Sequence, residues 1–180
     1  MAESSFLNPS AAIQAAKLQE GMHVADFGAG SGFFTRASAR AVGEEGRVWA
    51  VDVHRDLLPR IKALATAEGL HNVEVMQGDV ERPDGSHLPS EEFDFVIISN
   101  LLFGSENKGA IAQEARRILR RTGKVLVIDW SGSYGGLGPH PDHVISASAA
   151  RKIFEESGFT HIEEVPAGAY HWGLTFRKKA

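Results

Sequence analysis

Three aspartates are spaced so that one ligand could meet all of them. Asp26 stands in Val24-Ala25-Asp26-Phe27-Gly28-Ala29-Gly30-Ser31-Gly32-Phe33, Asp52 closes the run Val48-Trp49-Ala50-Val51, and Asp79 lies in Gly78-Asp79-Val80. The intervals are 26 and 27 residues, room for one helix and one strand each, so the acids fall on successive strand ends. Gly28, Gly30 and Gly32 sit where the first strand turns into a helix. Glycines there let backbone approach a ligand closely, and the helix start offers unpaired N–H groups. A carboxylate at a strand end can accept both hydroxyls of a ribose. A dinucleotide turn would carry Gly-x-Gly-x-x-Gly, but the third place is Phe33. The Gly-Lys-Ser/Thr ending of a phosphate loop is absent. Asp26 so close to the turn disfavours a pyrophosphate and suits a ligand with a positive group, such as the amine of a methionine moiety.

The elements that must position these residues are legible in the pattern. Strands are expected at Met22–Phe27, Arg47–Val53, Val73–Gln77, Phe93–Ile98, Val125–Trp130, His161–Val165 and His171–Lys178. Helices are expected at Phe6–Gln19, Gly32–Val42, Asp56–Glu68, Ser105–Arg121 (stopped by Gly123), and from Ser146 or Ser148 to about Glu156. Glu81–Glu91 and the glycine-rich Ser131–His143 read as loops. Strand–helix alternation implies parallel strands with helices on both faces. Only Pro166–Tyr170 separates the last two strands, which forces an antiparallel pair. The expected fold is α/β, a Rossmann-like three-layer sandwich with a seven-stranded, mostly parallel sheet and an antiparallel last strand. One domain is expected over 1–180, with 1–20 as a leading helix and 131–145 as a loop at the site.

With these residues in place, the sequence resembles the class I S-adenosylmethionine-dependent methyltransferases over nearly its whole length, and within them the small group related to ubiquinone and menaquinone biosynthesis methyltransferases. The resemblance implies S-adenosyl-L-methionine as cofactor. It assigns Asp26, Gly28, Ala29, Gly30 and Gly32 to the binding turn, Asp52 to the ribose, and Asp79 to the adenine amino group. Val53 and Val80 would lie against the adenine. Asn100, after the fourth strand, would stand beside the transferable methyl and the acceptor.

The acceptor side is less defined. Asn100, Asp129 at the end of the fifth strand and His171 at the start of the last are the candidates for acceptor positioning or proton removal. His171 suits proton transfer because imidazole titrates near neutrality, although a strand histidine can equally be structural. Trp130 could stack on a ring or pack in the core, and Phe103 could wall the pocket. Related sequences often carry a histidine near Leu102 or Phe103, and an Arg-Val pair where His143-Val144 stands here. In-line methyl displacement asks chiefly for alignment and desolvation, so a missing base does not argue against it.

Composition narrows the alternatives. The chain has 180 residues, 43% hydrophobic, with 19 basic and 23 acidic residues for a net charge of −4. That balance disfavours a broad nucleic-acid footprint. Cysteine is absent, which excludes disulfides, thiolate metal sites and thiol nucleophiles. The eight histidines show no paired ligand spacing, so no metal is expected. No apolar run is long enough to span a membrane, and no secretory leader is evident, which points to the cytoplasm. Arg117, Arg120, Arg121 and Lys124 read as a solvated helix end. The leading expectation is methyl transfer to a small molecule, with a homodimer possible. RNA or protein methylation, or a non-enzymatic cofactor-binding or interaction role, are the alternatives.

Overall fold

The computed structural model describes residues 6–180. Seven strands form one sheet: β1 (His23–Phe27), β2 (Arg47–Asp52), β3 (Val73–Gln77), β4 (Phe93–Ser99), β5 (Leu119–Trp130), β6 (Phe159–Glu164) and β7 (His171–Lys178). Their order is β3-β2-β1-β4-β5-β7-β6. β7 runs antiparallel to both β5 and β6, and the other pairings are parallel. Five helices flank the sheet: α1 (Pro9–Ala15), α2 (Phe33–Val42), α3 (Leu57–Ala67), α4 (Lys108–Ile118) and α5 (Ala147–Glu156). The α/β class and mixed sheet follow the sequence expectation.

Alternating side chains divide the core into two layers. Val24, Val48, Ala50, Ile97 and Ile128 pack against α1, α2 and α3. Ala25, Phe27, Val96, Ile98 and Val127 pack against α4 and α5. The central strands are therefore apolar on both faces, as a covered parallel sheet requires.

Two boundaries depart from the expectation. The leading helix is shorter than Phe6–Gln19: Asn8 caps it by accepting from the Ala11 N–H, and Lys17 at φ 64° has already left the helix. Residues 1–5 of the expected leading segment lie outside the described residues. Helix α4 stops at Ile118 rather than near Arg121, and β5 begins at Leu119, which pairs with Phe93. Leu119 is fully buried and its carbonyl accepts from the Lys178 ammonium (2.5 Å), so tertiary contacts override the helix-forming run of arginines. Of the basic residues expected at a helix end, Arg117 is in the last turn of α4, whereas Arg120, Arg121 and Lys124 belong to β5. Arg120 in β5 pairs with Asp94 (2.7 Å), and Arg117 reaches back to Glu114 and Asp84.

That Arg117–Glu114 pair anchors the loop after β3. Buried Glu114 accepts from the N–H groups of Asp84 and Ser86, from the Ser86 hydroxyl and from Arg117. The loop in turn folds tightly onto Asp79, whose N–H donates to the Gly85 carbonyl (2.9 Å). A Cβ on Gly85 would stand only 1.9 Å from the Asp79 carbonyl oxygen, so the approach requires glycine. Burial pushes the Glu114 carboxyl up, but hydrogen bonds from Arg117 and Ser86 outweigh it and hold the carboxyl below its usual range. Its stabilisation is thus present above the ordinary carboxylate range and lost as pH falls through the native value. Glu114→Gln is expected to cost about 2–4 kcal/mol at pH 7 and to flatten the acid limb of the stability profile, both read from urea midpoints.

Candidate functional site

The register brings the three acids to one rim. Asp26 is level with Ala50 and Asp52 with Gln77, so Asp26 and Asp52 share the face packed on α1–α3. Asp79 follows two residues beyond the β3 level of Asp52. Asp26 is 1% exposed. Its Oδ2 accepts from Thr35 Oγ1 (2.7 Å), while its Oδ1 is buried with no partner. Burial raises the Asp26 carboxyl to about 7; Thr35 opposes this and the nearby charge of Asp52 adds to it.

Asp52 is partly committed to the turn itself. Its Oδ2 accepts from the Gly30 N–H (2.9 Å) and its Oδ1 from the His54 N–H (2.9 Å). It thereby holds the glycine turn against the end of β2. Asp79 is more open, with Oδ1 accepting from the Glu81 N–H and Oδ2 from Arg82 Nε (3.1 Å). Val53 is exposed at the rim. Val80 is 6% exposed and belongs to the core layer beneath the rim, so it stands behind the edge rather than on it.

The glycines have different reasons. Gly28 (φ +70°) lies where a Cβ would be 2.8 Å from Leu101 Cδ1. Gly30 (φ +55°) has only the Gly28 carbonyl near its missing Cβ, at 3.9 Å. Packing therefore does not demand glycine at position 30; backbone conformation and open space beside the turn do. Gly32 (φ +78°) caps α2 without any side-chain hydrogen bond. The turn borders a cavity of about 550 Å³ lined by Gly28–Ser31, Phe33, Phe34, Ser99 and Asn100, together with Leu7 and Pro9 of the N-terminal segment.

This arrangement fits an adenosyl sulfonium amino acid. A glycine cradle opens on the cavity, and an unpartnered carboxylate oxygen sits behind it for a cation. Further acids mark the ends of the next two strands.

The acceptor candidates separate. Asn100 lines the cavity and adopts φ +52°, a left-handed conformation uncommon outside glycine. Its N–H donates to the Ile128 carbonyl (2.9 Å). Asp129 points the other way. It is fully buried on the α4/α5 face, its Oδ1 accepting from the Trp130 N–H (2.8 Å) and its Oδ2 from the Phe103 N–H (3.2 Å). Burial raises its carboxyl to about 6 against those backbone donors. Phe103 borders a second cavity of about 670 Å³ together with Lys108, His143 and Ile145. His171 pairs across the sheet with Trp130, their rings 4.2 Å apart at centroid.

Sequence reasoning missed Thr35 as the partner of Asp26. Nothing marks it in the chain, because the contact forms only once α2 folds back on β1. Leu7 and Pro9 belong to the expected leading helix, but their places at the cavity were not legible.

Comparison with known proteins agrees with the geometry. The sequence profile of the family described as methyltransferase domain matches residues 18–169. A ubiquinone/menaquinone biosynthesis C-methyltransferase, UbiE, from Bordetella parapertussis is 32% identical over 156 residues, covering 84% of this chain and 59% of that protein. The corresponding UbiE of Burkholderia vietnamiensis is 29% identical over 119 residues, covering 66% of this chain and 47% of the relative. The chain thus spans about half the length of these curated relatives. A SAM-dependent methyltransferase of known structure from Aquifex aeolicus is 26% identical, with a TM-score of 0.87 over 97% of this chain and 91% of that one.

Proposed function

The chain belongs to the methyltransferase-domain family, enzymes whose methyl donor is S-adenosyl-L-methionine, and from this premise we propose that it methylates a small-molecule acceptor held beside its N-terminal segment. The observation that carries the proposal is the cavity of about 550 Å³ lined by the glycine turn, Ser99 and Asn100 together with Leu7 and Pro9. A concave space of that size suits a small ligand better than a duplex or a folded protein. The names of the UbiE relatives, C-methyltransferases, extend the reading to carbon as the acceptor atom.

When bound, S-adenosylmethionine supplies an electrophilic methyl, which the acceptor's electron pair takes up as the carbon–sulfur bond breaks to leave S-adenosylhomocysteine. The protein's part is alignment. Asp26 faces the amine, and the Gly28–Gly32 turn with Ala29 follows the methionine portion. Asp52 takes the ribose hydroxyls with the lone pairs left free by Gly30 and His54. Asp79 takes the adenine amino group, with Val53 against the ring. Asn100 holds the acceptor side of the cavity. These assignments rest on placement at one rim and on the family pattern together.

Calorimetric titration with S-adenosylhomocysteine tests the binding half, and saturable binding with one site per chain is expected. Gly30→Ala is expected to weaken it at least tenfold. The left-handed conformation costs an alanine only about 1–2 kcal/mol, so the fold survives while the methyl group enters the cavity. Incubation with methyl-labelled donor and cell extract, separated into small-molecule, RNA and protein fractions, tests the other half. Label confined to RNA or protein would overturn the small-molecule reading.

No helix among the described residues is long and apolar enough to cross a membrane.

A further inference from the structure

His171 is the ionisable group whose environment asks for something the fold does not supply. Both ring nitrogens, Nδ1 and Nε2, are buried, and neither has a hydrogen-bond partner among the described residues. Buried polar atoms are almost always satisfied, and an unsatisfied one costs about 1–3 kcal/mol. A histidine kept only for packing would be better replaced by an aromatic ring without nitrogens, since its neighbours are aromatic. Trp130 lies 4.2 Å away at centroid. Tyr170 precedes it in the chain and is packed by Phe6 (5.7 Å) and Tyr134 (4.9 Å).

His171 lies on the cavity's side of the sheet, beyond the residues that line the cavity itself. Ser99 is level with Ile128 on β5, and Trp130, two residues on, is level with His171. Side-chain alternation therefore puts Ser99, Trp130 and His171 on one face of the sheet, the face that carries Asp26 and α1. Ser99 already lines the cavity. The segment Ser131–Gly138 returns over this corner. The Ser131 N–H donates to the Tyr170 carbonyl, Ser131 Oγ meets the Tyr134 hydroxyl at 2.6 Å, and a Cβ on Gly138 would stand 2.9 Å from the Trp130 ring.

Among the described residues, no acid orients or charges the imidazole. The titratable groups on the surrounding elements are Tyr170 and Tyr134, while Asp129 beside Trp130 faces the opposite layer, bound to backbone N–H groups. Burial alone lowers the His171 pKa from its ordinary value, so the ring is neutral at physiological pH.

We propose that His171 receives the proton of the acceptor, and that the acceptor is an apolar molecule whose reacting atom is neutral and carries a hydrogen. The proposal rests on the methyltransferase reading. As the acceptor atom bonds to the methyl carbon, its bond to hydrogen breaks. The electron pair of that bond stays with the acceptor, and the proton goes to a ring nitrogen of His171. The neutral acceptor becomes a neutral methylated product, and the positive charge that left the sulfonium resides on the imidazolium until solvent removes the proton. An unpaired neutral imidazole is a competent base for this step, and the Trp130 ring, tilted at 36° and 4.2 Å away at centroid, favours the cation that results.

The test is His171→Phe, with His171→Gln as a second variant, read in three ways. S-adenosylhomocysteine affinity by calorimetry should stay within threefold of wild type. Thermal midpoints should stay level or rise for His171→Phe, because two unsatisfied nitrogens are removed while the ring contact with Trp130 is kept. Label transfer from methyl-labelled donor to the small-molecule fraction of cell extract should fall at least 100-fold in both variants, with free imidazole restoring part of it to His171→Gln. Transfer within threefold of wild type overturns the proposal, as does a fall matched by loss of stability in both variants without rescue. Wild-type protein that binds S-adenosylhomocysteine yet labels nothing also overturns it. Failure to bind S-adenosylhomocysteine at all instead removes the underlying function.

Discussion

Asp26→Asn should make the ligand-free protein more stable at pH 8 and nearly unable to bind its cofactor. The native carboxyl titrates at about 7 against an ordinary 3.8, chiefly because burial disfavours the charged form, with Thr35 opposing and Asp52 adding to the rise. Between those two values the folded chain holds a proton that the unfolded chain has released. Stability therefore declines as pH rises from about 4 to about 7, and the full decline is on the order of 4 kcal/mol. Asparagine can keep the hydrogen bond from Thr35 and never ionises. The variant should match wild type near pH 4 and exceed it by a few kcal/mol at pH 8, measured as urea midpoints at the two pH values.

Binding should change in the opposite sense. An ammonium brought against the unpartnered Oδ1 would convert a destabilising buried charge into a buried ion pair, and removing one member of such a pair costs about 3–5 kcal/mol. S-adenosylhomocysteine affinity should fall by at least 100-fold in Asp26→Asn. In wild type it should weaken below pH 7, approaching tenfold per pH unit, as the carboxyl takes up its proton. A variant that is less stable than wild type at pH 8, or that binds as well, would show Asp26 to be a structural acid. The pairing of opposite effects separates ligand binding from packing, because a residue kept for the fold loses stability when replaced.

The rim was legible because its signals are local. A strand run, an acid and three glycines lie within ten residues, and the spacing to Asp52 and Asp79 is fixed by the length of one helix and one strand. Topology was legible for a similar reason, since the six residues between β6 and β7 leave no room for a crossover. What was not legible depends on parity and on distant chain. Asp129 and Trp130 are neighbours in sequence, and one residue of register decides which of them faces the cofactor side. The sequence expectation placed Asp129 at the rim, whereas in the folded chain that direction belongs to Trp130 and Asp129 faces inward. The end of α4 was misplaced because Leu119 is claimed by Phe93 and Lys178, residues 26 positions before it and 59 after it.

The inward turn of Asp129 gives it a different task, and its removal should have the second large effect. The carboxylate ties the end of β5, through the Trp130 N–H, to the 3₁₀ turn at Leu102–Gly104, through the Phe103 N–H. That turn begins just after Asn100, whose left-handed backbone places it at the cavity. Asp129 would thus be a positioning residue acting through Asn100 and Trp130. Asp129→Ala leaves two N–H groups without their acceptor in a site closed to water, a loss of about 2–4 kcal/mol, visible in urea midpoints at pH 7. The native carboxyl is held near 6, again by burial, so the cost of keeping it charged is absent below about pH 4 and complete above pH 6. The destabilisation by Asp129→Ala should accordingly be smaller at pH 7 than the lost hydrogen bonds alone would give. For methyl transfer the expectation is a kcat at least tenfold lower, with the KM for S-adenosylmethionine within threefold of wild type, because the glycine turn, Asp26 and Asp52 lie on other strands. A variant that loses stability but keeps kcat would confine Asp129 to the fold. One that loses cofactor affinity as strongly as turnover would mean that the Leu102–Gly104 turn supports the glycine turn through Leu101, whose side chain already packs within 2.8 Å of where a Gly28 Cβ would lie.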